Sequence, residues 1–139
     1  MAIFTETIQF STNGNADVID LTPEVNARLE KLGLRDGCVI VCATGSTGAV
    51  TTCEYEPGLV QDIPEIFDQL IPPGDYHHNQ TWGDGNGHAH LRASLVGPSV
   101  TIPFKNRKLR LGTWQQIVFI DFDTRNRERE VTAQFIGEQ

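Results

Sequence analysis

Apolar and polar positions alternate along Ile3–Ser11, with Ile3, Thr5 and Thr7 in one phase and Ile8 and Phe10 in the other. This pattern predicts a half-buried strand of imperfect register. A turn follows over Thr12–Asn15, and Val18–Leu21 extends the sheet. Thr22 as N-cap, Pro23 at the first helical position and Glu24 in the first turn then predict a helix. Val25, Leu29 and Leu32 give it an apolar face, and Gly33 ends it. Gly37–Ala43, GCVIVCA, is a continuous apolar and β-branched run of the kind expected for a central strand buried on both faces.

A Ser/Thr-rich turn with two glycines leads to a second β-prone run, Ala49–Tyr55, which Pro57 and Gly58 break. Leu59, Ile63, Ile66, Phe67 and Leu70 keep helical spacing, and Pro64 fits only near the start of that helix or at a bend. Pro72, Pro73 and Gly74 stop it. Beyond residue 97 the pattern is again β: a strand over Ser99–Phe104, a turn at Lys105–Lys108, a returning edge at Leu109–Leu111, a long run Thr113–Asp123 and a last strand Glu130–Ile136. The charged stretch Asp123–Arg129, DTRNRER, reads as a solvated hairpin loop between the last two. Strands, helix, strands, helix and strands again predict one α+β domain over residues 1–139, built on a mostly antiparallel sheet with two or three helices.

The segment left over, His77–Gly97, holds all four histidines of the chain. Imidazole titrates near neutral pH and ligates metals, so this density points to chemistry. Gly83–Gly87 can bend tightly, and His88–Gly97 is long enough for a short helix with Asn86 near its N-cap. Free amides of a first helical turn would then face the loop and hold a phosphate, with Arg92 one turn on to add a charged fork. A strand over the same residues instead points His88 and His90 to one side, where both could chelate a metal. In a helix they diverge by roughly 200°, so the secondary structure decides between an anion site and a chelate.

At 139 residues the chain is long enough for one domain with a core. Its net charge of −7 argues against nucleic acid or an anionic membrane as partner. No apolar run reaches membrane-spanning length and the N-terminus lacks the pattern of a signal peptide, so a cytoplasmic protein is expected. Cys38, Cys42 and Cys53 are an odd number in apolar or β-rich surroundings, which predicts buried, reduced thiols.

Two stretches, Ala89–Phe104 (AHLRASLVGPSVTIPF) and Leu109–Asp123 (LRLGTWQQIVFIDFD), resemble the YjbQ-like family, whose members are described as having a secondary thiamine-phosphate synthase activity. Glu54, Asp62 behind Pro57-Gly58-Leu59, and His78 agree as well, so the likeness spans roughly residues 5–136. The resemblance implies a compact α+β fold, a homotrimer and a cleft near subunit contacts that holds the polar motif residues. It places His78 and His90 in the site, as bases or metal ligands, with His88 ranked below them. Glu54 and Asp62 are candidates to ligate a divalent metal, magnesium or zinc, or to orient a histidine.

Arg92, Gln115, Ser46, Thr47 and Asn86 are candidates to contact a phosphorylated small molecule. One departure stands out: where the family has a histidine-threonine-threonine-alanine run, this chain has Gly45, Ser46, Thr47 and Gly48. Trp114 reads as core or interface packing, His77 as surface, and Trp82 as exposed. Three functions follow as expectations: a transferase of the thiamine-phosphate synthase type, a non-catalytic binder of a phosphorylated metabolite or metal, and a metal-dependent hydrolase.

Overall fold

A computed structural model of the chain describes residues 1–139. The elements run β1 (Ala2–Thr12), β2 (Asp17–Asp20), α1 (Thr22–Leu32), β3 (Asp36–Ala43), β4 (Gly48–Cys53), α2 (Pro57–Leu70), α3 (His77–Trp82), α4 (Gly87–Val96), β5 (Ser99–Lys105), β6 (Lys108–Leu109), β7 (Gln116–Asp121) and β8 (Arg127–Glu138). All strand pairs are antiparallel. The α+β reading holds, with two sheets and four helices in place of one sheet and two or three. The extra helix is α3, six residues among polar and histidine side chains with no apolar periodicity to announce it.

The sheets have orders β1-β8-β3-β5-β6 and β2-β7-β4. One core lies between them: Ile8, Val39, Val41, Val131, Ala133 and Phe135 from the larger sheet meet Val50, Ile117 and Phe119 from the smaller, with Val25 and Leu29 of α1. A second core lies on the other face of the smaller sheet, where Ala49, Val118, Ile120 and Phe122 pack on Phe67 of α2 and on Ala89 and Ala93 of α4. The strand buried on both faces is therefore β7, in which alternate residues feed the two cores. β3 was expected in that role from its continuous apolar run. It is central in its sheet, but only Val39, Val41 and Ala43 are buried, because nothing in the chain covers the outer face with Cys38, Ile40 and Cys42. The cysteines are free and half-buried, less enclosed than expected.

Two capping expectations resolve differently. Gly33 ends α1 in the left-handed region (φ 68°) and its N–H reaches the Leu29 and Glu30 carbonyls. Thr22 does not cap. Its hydroxyl accepts from the Ile117 N–H at 2.8 Å, tying α1 to β7, while Asp20 accepts from the Thr22 N–H at 3.0 Å. The α2 N-terminus is capped by Glu56, whose carboxylate accepts from the Gly58 and Leu59 amides, so the helix starts two residues before the expected Leu59.

The largest correction concerns Asp123–Arg129. It is no hairpin, since β7 and β8 belong to different sheets and never pair. The segment crosses from one sheet to the other, as do the links β1 to β2 and β3 to β4, and the three crossovers share one end of the sandwich. There the amides of Asn15 and Ala16 donate to the Asp123 and Asp121 carbonyls at 2.6 and 2.7 Å. Gly14, Asn15 and Ala16 all take left-handed backbone (φ 73°, 54° and 64°) to make this turn, a conformation costly for Ala16 and held by its burial.

Candidate functional site

The histidines assemble as the helical alternative requires. His88–Val96 is helical, so His88 and His90 face different ways and the paired chelate of the strand reading is ruled out. His90 meets His78 of α3 instead, their ring centroids 4.3 Å apart at 48°. The local sequence makes this possible. Gly83 ends α3 in left-handed backbone (φ 71°), and the Asn79 amide then ties the loop, accepting from the Gly87 N–H at 2.9 Å and donating to the Gly74 carbonyl at 2.8 Å. A Cβ at Gly87 would stand 2.8 Å from both Asn79 and Tyr76, so only glycine lets α4 begin this close to α3.

His78 Nε2 lies 3.1 Å from the Asn86 side-chain amide and 3.4 Å from Asp84 Oδ1. Asn86 in turn lies 3.4 Å from Asp123 Oδ1. With its NH2 toward His78 and Asp84 it makes the shorter contacts (3.1 and 3.0 Å) and turns its oxygen to Asp123; the opposite orientation donates to Asp123 and suits a His78 that itself carries the Nε2 proton. The amide orientation is thus coupled to where the His78 proton sits.

Beyond Asn86 lies a buried network at the three crossovers. Arg129 of β8 forms a bidentate pair with Asp121 of β7, from Nε to Oδ2 and from Nη2 to Oδ1, both 2.7 Å. Asp121 is fully buried and also accepts from the Thr12 hydroxyl at 2.5 Å. Asp123 accepts from Arg127 at 2.6 Å, from the Thr47 hydroxyl at 3.1 Å and from the Thr124 amide at 2.8 Å. Thr47 also accepts from Arg129 Nη2 at 2.7 Å. Burial alone would raise the pKa of both carboxyls. The Arg129 and Thr12 hydrogen bonds outweigh it at Asp121, which ends below the usual carboxylate range. At Asp123 the Thr124 amide, Arg127 and the side chains of Asn86 and Thr47 bring the pKa down to about 2.

Of the expected site residues, His78, His90 and Asn86 come together, and Thr47 joins them through Asp123. The rest do not. Arg92 is a correction: it is buried and turned to the end of α2, donating from Nε to the Ile71 carbonyl at 2.9 Å and from Nη2 to Asp68 at 3.1 Å, with Phe67 beneath its guanidinium. An unsatisfied helix-end carbonyl held it more strongly than the loop. The α4 amide of Gly87 is likewise taken, by Asn79.

His88 is buried with Nδ1 unpartnered, and burial, then the Arg92 charge, lower its pKa and favour the neutral ring. As a metal ligand it would place the ion beside a guanidinium. Asp62 is exposed on α2, in its second turn and not at its start. Glu54, Gln115 and Trp114 line a separate open hollow, where the Gln115 amide is satisfied by Gly112 and Thr52. Trp114 is 71% exposed, so it is not core. Ser46 is exposed, as are His77 and Trp82. No three His, Cys, Asp or Glu side chains are arranged to hold a metal ion.

The polar network that the residue pattern does not announce is built by Asp121, Asp123, Arg127 and Arg129. Their trace in it is the two-residue spacing within each pair, which puts each pair on one face of an extended chain. A sequence model described as UPF0047 protein YjbQ-like matches residues 6–138.

The chain belongs to the YjbQ-like UPF0047 family.

Curated relatives agree with this membership. A UPF0047 protein of Archaeoglobus fulgidus is 40% identical over 117 residues, 84% of this chain and 89% of that protein. One of Methanothermobacter thermautotrophicus is 37% identical over 135 residues, 96% and 93% of the two chains. Among solved structures, a YbjQ-like protein of unknown function from Sulfolobus solfataricus superposes with a TM-score of 0.92 at 31% identity, covering 99% of each chain. A hypothetical protein from Aeropyrum pernix gives 0.91 at 37% identity, covering 97% and 99%. The YjbQ-like fold described above is thus shared by proteins whose names carry no activity. No helix of the chain is long and apolar enough to cross a membrane.

Proposed function

We propose that this YjbQ-like protein acts on a phosphate-bearing small molecule at the His78–His90 pair, with a thiamine-phosphate synthase type of transfer as a secondary activity. In that reaction a thiazole phosphate nitrogen attacks the methylene of an activated pyrimidine. The new C–N bond forms as the C–O bond to diphosphate breaks, and the electron pair leaves with diphosphate. Such chemistry asks the protein to orient two substrates and stabilise a departing anion more than to supply a nucleophile. The observation that carries the reading is the meeting of two imidazoles at 4.3 Å, both partly accessible, with Asn86 and Asp84 beside one of them. Either ring can donate to a phosphate oxygen or pass a proton to it.

The residues of one chain fall short of a resident metal site, so no step is assigned to magnesium or zinc. One further observation favours a non-catalytic binder as the second reading. With Arg92 and the Gly87 amide withdrawn, the site lacks the fixed positive groups that a diphosphate leaving group demands. Turnover measured with wild type and His90→Ala side by side separates the two. Activity in the wild type lost in the variant supports the transferase, and binding without turnover supports the second. Calorimetry with thiamine phosphate and pyrophosphate, with and without magnesium or zinc, tests both. Equal affinity in wild type and His90→Ala would place the site elsewhere.

We also propose a homotrimer in a cytoplasmic setting. Support comes from the uncovered outer face of the larger sheet, with Ile3, Ile136 and Cys38 in register and Ile40 on the same face, and from the exposed pairs Ile66/Leu70 and Leu91/Leu95 on α2 and α4. A concentration-independent 15.4 kDa species in sedimentation equilibrium would overturn it.

A further inference from the structure

Beside the crossover network opens a cavity of about 200 Å³, bordered by Thr44, Gly45 and Phe119 and by residues 127–130 of β8. We propose that it is a binding site for a small oxyanion, a phosphate or carboxylate group, gripped by Arg129 Nη1 and the open N–H groups of Arg127. This site uses other residues than the His78–His90 pair and does not depend on the function proposed for that pair.

Each guanidinium has five N–H donors. Arg129 commits Nε and Nη2 to Asp121 and Thr47, leaving Nη1 without a partner in the chain. Arg127 donates from its own Nη1 to Asp123 and leaves Nε and Nη2 open. Arg129 Nη1 stands 3.5 Å from where a Cβ at Gly45 would be, so the unused donor faces the cavity margin. Only 9% of the Arg129 side chain is exposed, and two hydrogen bonds to a buried carboxylate hold it. A ligand therefore meets a donor already fixed in place, with little rotamer freedom left to lose.

Gly45 supplies the second argument. Its φ is not in the left-handed region, so the backbone does not require glycine there. A Cβ would touch nothing closer than that 3.5 Å contact, so packing does not require glycine either. Gly48, three residues on, is different, because a Cβ there would collide with the Phe119 ring. The missing side chain at Gly45 keeps that side of the cavity open to Arg129 Nη1.

Size and charge set the ligand class. The volume is below the roughly 300–1,000 Å³ of drug-sized ligand pockets, so one small group fits. The net charge of −7 opposes anions at long range. Glu128 and Glu130 also border the opening and add to that opposition, although strand alternation turns their side chains to the face of β8 opposite the two arginines, and the Glu128 carboxylate accepts from the Ser11 hydroxyl. Asp121 and Asp123 compensate the arginine charges, so the grip comes from directed N–H groups, with millimolar-scale affinity expected from so few contacts.

The test is an amide NMR titration of the full-length protein with inorganic phosphate, repeated with acetate. Saturable shifts should centre on Thr44, Gly45 and residues 127–130 and persist in His90→Ala. Gly45→Leu fills the cavity while keeping both arginines, and should raise the dissociation constant at least about tenfold at an unchanged melting temperature. Should that variant fail to fold, Arg127→Gln replaces it, with loss in the same direction. Saturation by phosphate alone assigns a phosphoryl group, and saturation by both ligands a general oxyanion site. Shifts centred on His78 and His90, equal affinity in the variant, or no saturation by either ligand would each overturn the proposal. Because His90→Ala is expected to keep this binding, failure here and failure of the His78–His90 reading are told apart.

Discussion

The His78–His90 cluster and the Asp121–Arg129 network touch at Asn86 and Asp123, yet they are built on opposite terms. The first sits on two short helices and a glycine loop, half-exposed, with Asn86 and Asp84 beside His78 and only the His78 ring against His90. The second joins two sheets, is nearly dry, and gives its carboxylates three or more partners each. A buried charge persists only when its partners replace the water it lost, so the network is necessarily rigid. The imidazoles stay near solvent and can still exchange partners. Where sequence chemistry is densest, the structure is loosest; where the sequence looked like a solvated loop, it is tightest.

The sharpest way to break this contrast is Arg129→Ala. It leaves Asp121 charged and buried without its main partner, and should cost about 3–5 kcal/mol. Urea unfolding measures it, and a loss below about 1 kcal/mol would show that water reaches Asp121.

Acid tests the same region without mutation. The folded pKa values of Asp121 and Asp123 lie below their unfolded values, near 3.8. Their contribution is thus fully present above about pH 4 and is lost as pH falls through the folded values, about 2 for Asp123. The Asp123 share is on the order of 2 kcal/mol. Thermal melts between pH 5 and 2 should show the fall, and Asp123→Asn should flatten it.

Arg92→Ala should cost about 2 kcal/mol, mostly from the Ile71 carbonyl left unsatisfied, because the exposed Asp68 partner adds little. Its effect on phosphate-ligand affinity should not vary with salt, the reverse of what an arginine in the anion site would give. A salt-dependent loss would return Arg92 to the site.

The smallest effect on stability belongs to His90→Ala, below about 1 kcal/mol, since the ring is only partly buried. Turnover, where present, should fall about a hundredfold or more. Stability loss of several kcal/mol would make the imidazole pair a structural element and erase the contrast.

Much of the fold was legible because it rests on short-range rules. The Pro23 start and Gly33 stop of α1, the apolar spacing of α2 and the β-branched runs of β3 and β7 each depend on residues a few positions apart. The meeting of His78 and His90 was half legible: their density marked the segment, but the helix that turns His88 away had to be seen. The place of Arg92 is not legible locally because its partner, the Ile71 carbonyl, is 21 residues distant.

By itself the sequence determined the α+β class, the antiparallel strands, the segment that carries the histidines and the family to which the chain belongs. Only the tertiary structure decided which strands share a sheet, which faces are covered, and that DTRNRER crosses between sheets with Asp123 buried instead of closing a hairpin. The reason is physical. Local pattern sets backbone conformation through contacts between near neighbours, whereas the ionisation and role of Asp121, Arg129 and His88 depend on desolvation, and desolvation is decided by residues brought close from far along the chain.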